Sequence, residues 1–540
     1  MIKNKKLIGD GILLTLTTLA LKTAGVAFSS ALTVSAGAEA MGLSGQITSV
    51  YAFALTAAAA GVNLGATRIT AESLGSDNAD EIRSGINRAL SYCIKTGFIT
   101  ALLLFILAPS LSGKVIGNTE ATVPLRLLSL AIPCISVSGA FHGYFNGVRR
   151  VYKSAAVNVI EQTARITLTL SGLYGLSGEN GIFPDWLTES VSGTVSFIAS
   201  KSELITTKTG LACLTVVAGS VAAELLSCFT LFILYTVDSK RYPAPSKTET
   251  KASKQKLNGK FLRITVPMAV SALLRSGLSS AEHLLLPWGL RAFGSESALA
   301  EYGTVSGMAI PVVLYPMALI NAFAQLNTVD VATKLSAGEE RSKIRQTIGG
   351  GILFALIYGV GCTAILRAFS YRLAEGIFST ETAGTYISVL AGYAALAYLD
   401  HVADSTLKGL DQQSYVMGVN IADSAIGLLL TVVLVPRLGI YGYVISLYIC
   451  ELINCTLSLG RIIHLLGWLP NLTFALCIPT PVAVATVHLL TLTGIENIPT
   501  VPAIILSSTI YFSATALLLS LKQNYFSRKL SPHNYSRNTE

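Results

Sequence analysis

The strongest constraint on the fold is a series of fourteen stretches of mostly apolar residues, each bounded by charged or turn-forming clusters. A helix of about 20 apolar residues crosses the hydrocarbon core of a bilayer, and each stretch is long enough to do so. Only 13% of the 540 residues are charged, about half the usual share for soluble domains, which excludes a soluble multidomain enzyme. The stretches cover roughly 10–33, 46–69, 90–110, 122–145, 155–175, 209–237, 260–292, 303–327, 348–369, 385–408, 415–435, 439–463, 470–493 and 500–521.

Segments that alternate polar and apolar residues, as in a membrane β-barrel, are absent from the sequence. The sequence therefore predicts an all-α polytopic membrane protein with about 14 transmembrane helices.

The distribution of Lys and Arg predicts the orientation in the membrane. With the N-terminus inside, 27 of the 39 basic residues fall in cytoplasmic segments and only seven in external ones. The asymmetry predicts a multi-pass protein with both termini in the cytoplasm, and it explains the net charge of +9 without nucleic-acid binding. The remaining five basic residues lie within predicted helices: Lys22, Lys95, Arg126, Arg165 and Arg275.

Two pairs of similar segments, both separated by 262 residues, indicate an internal duplication. Ile82–Ile86 resembles Ile344–Ile348, and Asn158–Glu161 resembles Asn420–Asp423. The segments around Glu224 and Glu451 form a third pair at an offset of 227, so the first half must contain an insertion, which we assign to a polar external loop at 176–208. Similar helical composition alone remains the alternative explanation.

Six helices per repeat is an even number, so the two repeats enter the membrane in parallel, as in two-lobed transporters with a central cavity. The predicted parts are an N-lobe at 1–237 (helices 1–6), a basic cytoplasmic linker at 238–259, a C-lobe at 260–465 (helices 7–12), helices 13–14 at 466–521 and a cytoplasmic tail at 522–540.

Charged residues inside the predicted helices are the candidate functional residues. Each would cost roughly 2.5–3.5 kcal/mol at mid-bilayer if it faced lipid, so we expect them to face a water-filled cavity or one another. Three are cations near the middle of a helix, Lys22, Arg165 and Arg275. An arginine can bind a phosphate through two hydrogen bonds.

Spacing groups several of these charges. Glu161 lies one helical turn before Arg165, so the two share a face, and a simple ion pair is the alternative to substrate contact for this arginine. Glu282 lies two turns after Arg275 and is a candidate to neutralise it.

The remaining acidic candidates are Asp400, Asp404 and Asp423. Asp400 and Asp404 share a helix face and are candidates for a coupling proton or sodium ion, with an inter-helix polar cluster as the alternative. Asp423 occupies the position that corresponds to Glu161 in the second repeat.

Motifs for catalysis and for cofactors are missing from the sequence. It contains no phosphate-binding loop, no HExxH and no paired cysteines at zinc spacing, so we predict no enzyme activity, no cofactor and no resident metal.

Several segments of the chain resemble the multidrug/oligosaccharidyl-lipid/polysaccharide (MOP) flippase superfamily, and within it the SpoVB-like polysaccharide biosynthesis and lipid II flippase branch. The most specific are Gly37–Leu43, Gly143–Gly147, Glu161–Arg165, Gly303–Pro311 and Gly439–Tyr443. His142 departs from the pattern, which leads us to expect Arg there.

This resemblance implies a flippase of the bacterial cytoplasmic membrane that moves a polyprenyl-pyrophosphate-linked oligosaccharide or peptidoglycan precursor by alternating access. Lys22, Arg165 and Arg275 would then bind the pyrophosphate, and Glu161, Glu282, Asp400, Asp404 and Asp423 would line the cavity or couple an ion. The alternative is a cation-coupled multidrug antiporter of the same superfamily. A membrane-embedded glycan polymerase or ligase fits less well, because the 176–208 segment has no Arg or His.

Overall fold

The computed structural model describes residues 2–75, 79–177, 183–202, 204–240, 251–467, 477–492 and 498–529, and nearly all of them are helical. Parts of the predicted linker (241–250) and tail (530–540) lie outside this range. The first eight α-helices are α1 Ile2–Ala59, α2 Val62–Gly75, α3 Ala79–Ser110, α4 Thr122–Gly147, α5 Val151–Ser177, α6 Asp185–Ser202, α7 Lys208–Ser239 and α8 Lys251–Phe293.

The following helices are α9 Ala298–Gly303, α10 Ile310–Val313, α11 Met317–Ser336, α12 Arg341–Ala368, α13 Ser370–Phe378, α14 Thr382–Gly409, α15 Gln413–Leu438, α16 Ile440–Leu466, α17 Pro479–Leu492 and α18 Thr500–Lys529. π-Helical turns follow α3 and α9, at Leu111–Ile116 and Thr304–Ala309.

Helix boundaries recur at the offset found in the sequence, which supports the predicted duplication. Three boundaries of the first half reappear 262 residues later: the start of α3 at Ala79 and of α12 at Arg341, the end of α4 at Gly147 and of α14 at Gly409, and the start of α5 at Val151 and of α15 at Gln413.

Nine helices in the described residues are long and apolar enough to cross a membrane, or ten if the broken helix at 298–336 is one span. The first of the nine, at 20–74, covers all of the predicted span 46–69 and most of 10–33. Neither α5 nor α8 is among the nine, and these helices contain Glu161, Arg165, Arg275 and Glu282. The multi-pass architecture is therefore confirmed, whereas the count of 14 remains a prediction.

The first two predicted spans are separated as expected: α1 is kinked between them at Gly37, where φ is +82° and the backbone is not helical. The second of these spans continues past the end of α1 into α2. Two other local predictions need correction. The predicted loop at 176–208 contains α6, which packs on α5 through Thr188, Val191 and Ser192. The predicted span at 303–327 is interrupted between α10 and α11, where Pro316 precedes the new helix.

The chain divides into two compact units. The first unit comprises residues 1–308 and 420–446, and the second comprises 309–419 and 447–540. The first unit includes α8 because that helix packs along α1: Thr56 Oγ1 donates to Ser276 Oγ at 3.2 Å, and Ser280 Oγ donates to the Ser49 carbonyl at 2.8 Å. The division therefore differs from the predicted lobes, whose boundaries remain a prediction.

Small residues allow close helix packing inside the first unit. A Cβ added at Gly143 would lie 2.6 Å from the Ala66 side chain, and one at Gly147 would lie 2.6 Å from that of Thr70. The backbones of α4 and α2 thus approach each other where only glycine fits. α4 in turn packs against α7, and α7 packs against α5.

Candidate functional site

A charged network joins three helices of the first unit around Arg165. On α5, the Arg165 guanidinium donates to Glu161 Oε1 at 2.8 Å, and it reaches Glu224 Oε1 on α7 at 3.4 Å. Tyr51 on α1 donates through its hydroxyl to Glu224 Oε2 at 3.4 Å. The ion pair weighed from the Glu161–Arg165 spacing is therefore present, and Glu224 and Tyr51 extend it.

Helix packing explains how Glu224 reaches Arg165. Thr215 and Gly219 of α7 fit against Gly172 and Thr169 of α5, with a Cβ on Gly219 only 2.3 Å from Thr169 Oγ1. The close approach brings the next turns of the two helices together. The network is mostly shielded, since the side chains of Arg165, Glu161 and Glu224 are 28%, 25% and 14% exposed. Its two carboxylates neutralise the arginine through one guanidinium nitrogen, Nη2, whereas the buried Nε has no hydrogen-bond partner within the described residues.

Lys22 and Arg275 are placed differently from Arg165. Lys22 is half-buried on α1, and Arg275 is exposed on α8, one residue before the Ser276 that bonds to α1. Within the residues that the structure describes, neither cation has a hydrogen-bond or ion-pair partner. Two of the three predicted substrate ligands are thus available to an external anion.

Glu282 does not form the ion pair with Arg275 that its spacing suggested. Its Oε1 accepts a hydrogen bond from Thr431 Oγ1 of α15 at 3.1 Å, within the first unit. Asp423, half-buried on the same α15, adds negative charge near Glu282. The structure therefore groups two predicted acidic residues, Glu282 and Asp423, in one polar region between α8 and α15.

Asp400 and Asp404 form a polar ladder in the second unit. Both are 7% exposed and lie on the face of α14 that packs against α16. Asn454 Nδ2 donates to Asp400 Oδ2 at 3.1 Å, and Ser458 Oγ donates to Asp404 Oδ1 at 3.2 Å. This geometry fits the inter-helix polar cluster considered from the sequence. Each carboxylate is thus held by a polar side chain of α16.

Two buried carboxylates at the ends of first-unit helices were missed by the sequence reasoning. Asp238, at the end of α7, accepts hydrogen bonds from Tyr144 at 3.0 Å and Lys153 at 2.8 Å and also binds Arg150. Glu120, just before α4, accepts from the backbone amides of Thr206 and Thr207 at 2.9 Å each. Both fasten helix ends, and neither lies inside a predicted span.

A polar cavity of about 510 Å³ adjoins Glu120 in the first unit. Its lining is rich in hydroxyl and carboxylate groups, and it comprises Glu39, Asn118, Thr119, Glu120, Leu204, Thr206, Thr207 and Thr209. Neither here nor elsewhere in the described residues is a group of three or more His, Cys, Asp or Glu side chains arranged to hold a metal ion.

The sequence is similar to that of proteins of known families. Residues 7–202 match a family model described as Polysaccharide biosynthesis protein. Stage V sporulation protein B of Bacillus subtilis (strain 168) is 21% identical over 428 residues, which cover 76% of this chain and 74% of that protein.

Solved structures show a similar fold. The lipid II flippase MurJ in an inward closed conformation matches with a TM-score of 0.66 at 12% identity, covering 94% of this chain and 98% of its own. An inward-facing multidrug resistance MATE family transporter of the MOP superfamily matches with a TM-score of 0.62 at 14% identity, covering 84% and 99%. The resemblance found in the sequence motifs is thereby confirmed.

Proposed function

Since the chain is a multi-pass membrane protein with the fold of the MOP superfamily, we propose that it is a flippase for a polyprenyl-pyrophosphate-linked oligosaccharide or peptidoglycan precursor. Both Stage V sporulation protein B and the lipid II flippase MurJ are similar to it over most of its length. The proposal places it in a bacterial cytoplasmic membrane, with alternating access between the two sides.

The observation that carries this proposal is the contrast among the three intramembrane cations. Arg165 is paired with Glu161 and Glu224, whereas Lys22 and Arg275 have no anionic partner in the part of the chain that is described. An unpaired cation inside a membrane is costly unless water or an anionic ligand reaches it. A pyrophosphate supplies several charged oxygens and therefore matches two such cations.

We assign Lys22 and Arg275 as the principal pyrophosphate ligands. Arg165 remains a secondary ligand, because it must first leave two carboxylates before it can bind phosphate. Binding there would release Glu161 and Glu224 from their shared cation. We therefore expect the ion pairs of this network to rearrange when substrate binds, and we do not expect the network to bind substrate in the arrangement described here.

The energy source in this proposal is an ion gradient or the membrane potential. The polar region of Glu282 and Asp423 and the ladder of Asp400 and Asp404 are the candidate positions for a coupling proton or sodium ion. Carboxylate, amide and hydroxyl oxygens are suitable ligands for a hard cation.

The test is precursor translocation in cells depleted of their own flippase. We expect Lys22→Ala and Arg275→Ala to reduce translocation at least about tenfold, since each removes a charge-assisted contact worth more than about 1.4 kcal/mol. Lys95→Ala is the matched control: Lys95 is also an exposed cation within a predicted span, on α3, but it has no assigned role.

Full translocation by both Lys22→Ala and Arg275→Ala would overturn the assigned ligands. Export of organic cations by the wild type without precursor movement would instead favour the multidrug antiporter. Lys22→Arg should retain most of the activity, because it preserves the charge.

A further inference from the structure

Arg126 is an intramembrane cation whose position no substrate role explains. It lies on α4 one turn after the helix begins at Thr122, with its side chain partly buried. Its guanidinium carbon stands 5.0 Å from the centre of the Phe105 ring on α3, a cation–π contact. Its Nε is shielded from solvent and has no hydrogen-bond partner within the described residues.

No carboxylate in the described part of the chain neutralises Arg126. The acidic residue nearest to it in sequence, Glu120, is occupied by the Thr206 and Thr207 amides at 2.9 Å each. A second cation, Lys114, is exposed on the π-helical turn that precedes α4, and it also has no ion pair there. Among the described residues, the positive charge at this end of α3 and α4 thus has no carboxylate to balance it.

The surface beside Arg126 is apolar and uncovered. Leu130, one turn further along α4, is 62% exposed, and Leu102 and Ile106 on α3 are 60% and 61% exposed. Contiguous exposed aliphatic side chains on membrane-spanning helices face lipid chains. The Arg126 side chain borders this surface near a helix end, where a long basic side chain can extend toward lipid headgroups.

We propose that Arg126, supported by Phe105, binds the phosphate of a membrane phospholipid. The acyl chains lie on the apolar surface of α3 and α4, and the phosphate accepts hydrogen bonds from the guanidinium. Phospholipid is the occupant because its acyl chains match the exposed apolar surface and its phosphate matches the unpaired guanidinium beside that surface. Arginine suits phosphate because its planar fork offers two parallel hydrogen bonds.

The test is native mass spectrometry of the purified full chain in an uncharged detergent, titrated with dioleoyl phosphatidylglycerol. We expect Arg126→Gln to weaken the tightest phosphatidylglycerol binding by at least about tenfold. Arg68→Gln is the matched control, because Arg68 is already paired with Glu72 at 3.0 Å, and its phosphatidylglycerol affinity should stay unchanged. Dioleoylglycerol, which has no phosphate, should not distinguish Arg126→Gln from the wild type.

A second variant keeps the proposal testable if Arg126→Gln does not fold. Phe105→Leu retains the cation and removes only the ring contact, so it should weaken phosphatidylglycerol binding by roughly two- to fivefold. Unchanged phosphatidylglycerol affinity in the folded variants would overturn the proposal. Loss of undecaprenyl pyrophosphate binding alone, with phosphatidylglycerol unaffected, would also overturn it and identify a transported lipid as the occupant.

Discussion

The network around Arg165 makes a quantitative prediction about stability. Replacing Arg165 by Gln leaves Glu161 and Glu224 facing each other without their shared cation. Removal of one partner from a fully buried ion pair costs about 3–5 kcal/mol. Because these three side chains are 14–28% exposed, water recovers part of that loss, and we expect about 2–3 kcal/mol.

Glu224→Gln should have a much smaller effect than Arg165→Gln. The amide can still accept from Tyr51, and Arg165 keeps Glu161 at 2.8 Å, so the expected cost is about 1 kcal/mol or less. The double variant Arg165→Gln with Glu161→Gln should recover part of the stability of the single arginine variant, because only one carboxylate then remains.

The assay is denaturant titration of the purified protein, followed by reaction of a fluorescent dye with thiols that unfolding exposes. Cys93 and Cys213 are fully buried in the first unit and serve as reporters. Equal stability of Arg165→Gln and the wild type would refute the reasoning. An equal loss in Glu224→Gln and Arg165→Gln would also refute it, because the arginine would then not be the shared element.

Three further stability predictions concern helix contacts. Asp238→Ala should lower the thermal unfolding midpoint far more than Asp330→Ala. The Asp238 side chain is 1% exposed, whereas that of Asp330, which is paired with Lys334, is 51% exposed. Equal shifts of the midpoint in the two variants would contradict this prediction. Gly361→Ala should loosen the packing of α18, because the added Cβ would lie 2.2 Å from the Tyr511 ring, whereas a Cβ at Gly350 meets open space. Limited proteolysis should therefore cleave Gly361→Ala faster than Gly350→Ala. Equal cleavage rates for the two variants would contradict this contact. Glu120→Ala should speed proteolytic cleavage around Thr206 and Thr207, and an unchanged cleavage rate would show that its four hydrogen bonds do not hold that segment.

Much of the fold could be predicted because a membrane-spanning helix needs a long apolar run and because a duplicated sequence repeats its helix boundaries. The runs predicted the nine long apolar helices of the described residues, and the offset of 262 predicted that the starts of α3 and α5 recur at α12 and α15. The kink of α1 at Gly37 lies between the first two predicted spans, as a glycine inside a helical pattern allows. The helix α6 was missed because its polar residues resemble those of a loop.

The candidate site was only partly predictable for a different reason. Spacing along one helix revealed the Glu161–Arg165 pair, since residues one turn apart share a face. Tyr51 joins that pair from another helix, and no pattern in its own sequence distinguishes it from a core tyrosine. Glu224 had a signal, because Glu451 repeats it in the second half, but that repetition did not reveal its partner.

Reconstitution tests the proposed transport most directly. The purified protein is placed in liposomes that carry a fluorescent polyprenyl-pyrophosphate-linked disaccharide on one side, and an impermeant reagent measures its arrival on the other. We expect translocation by the wild type and by Lys95→Ala, and strongly reduced translocation by Lys22→Ala and Arg275→Ala. Translocation no faster than in protein-free liposomes, under either direction of ion gradient, would contradict the proposed flippase function.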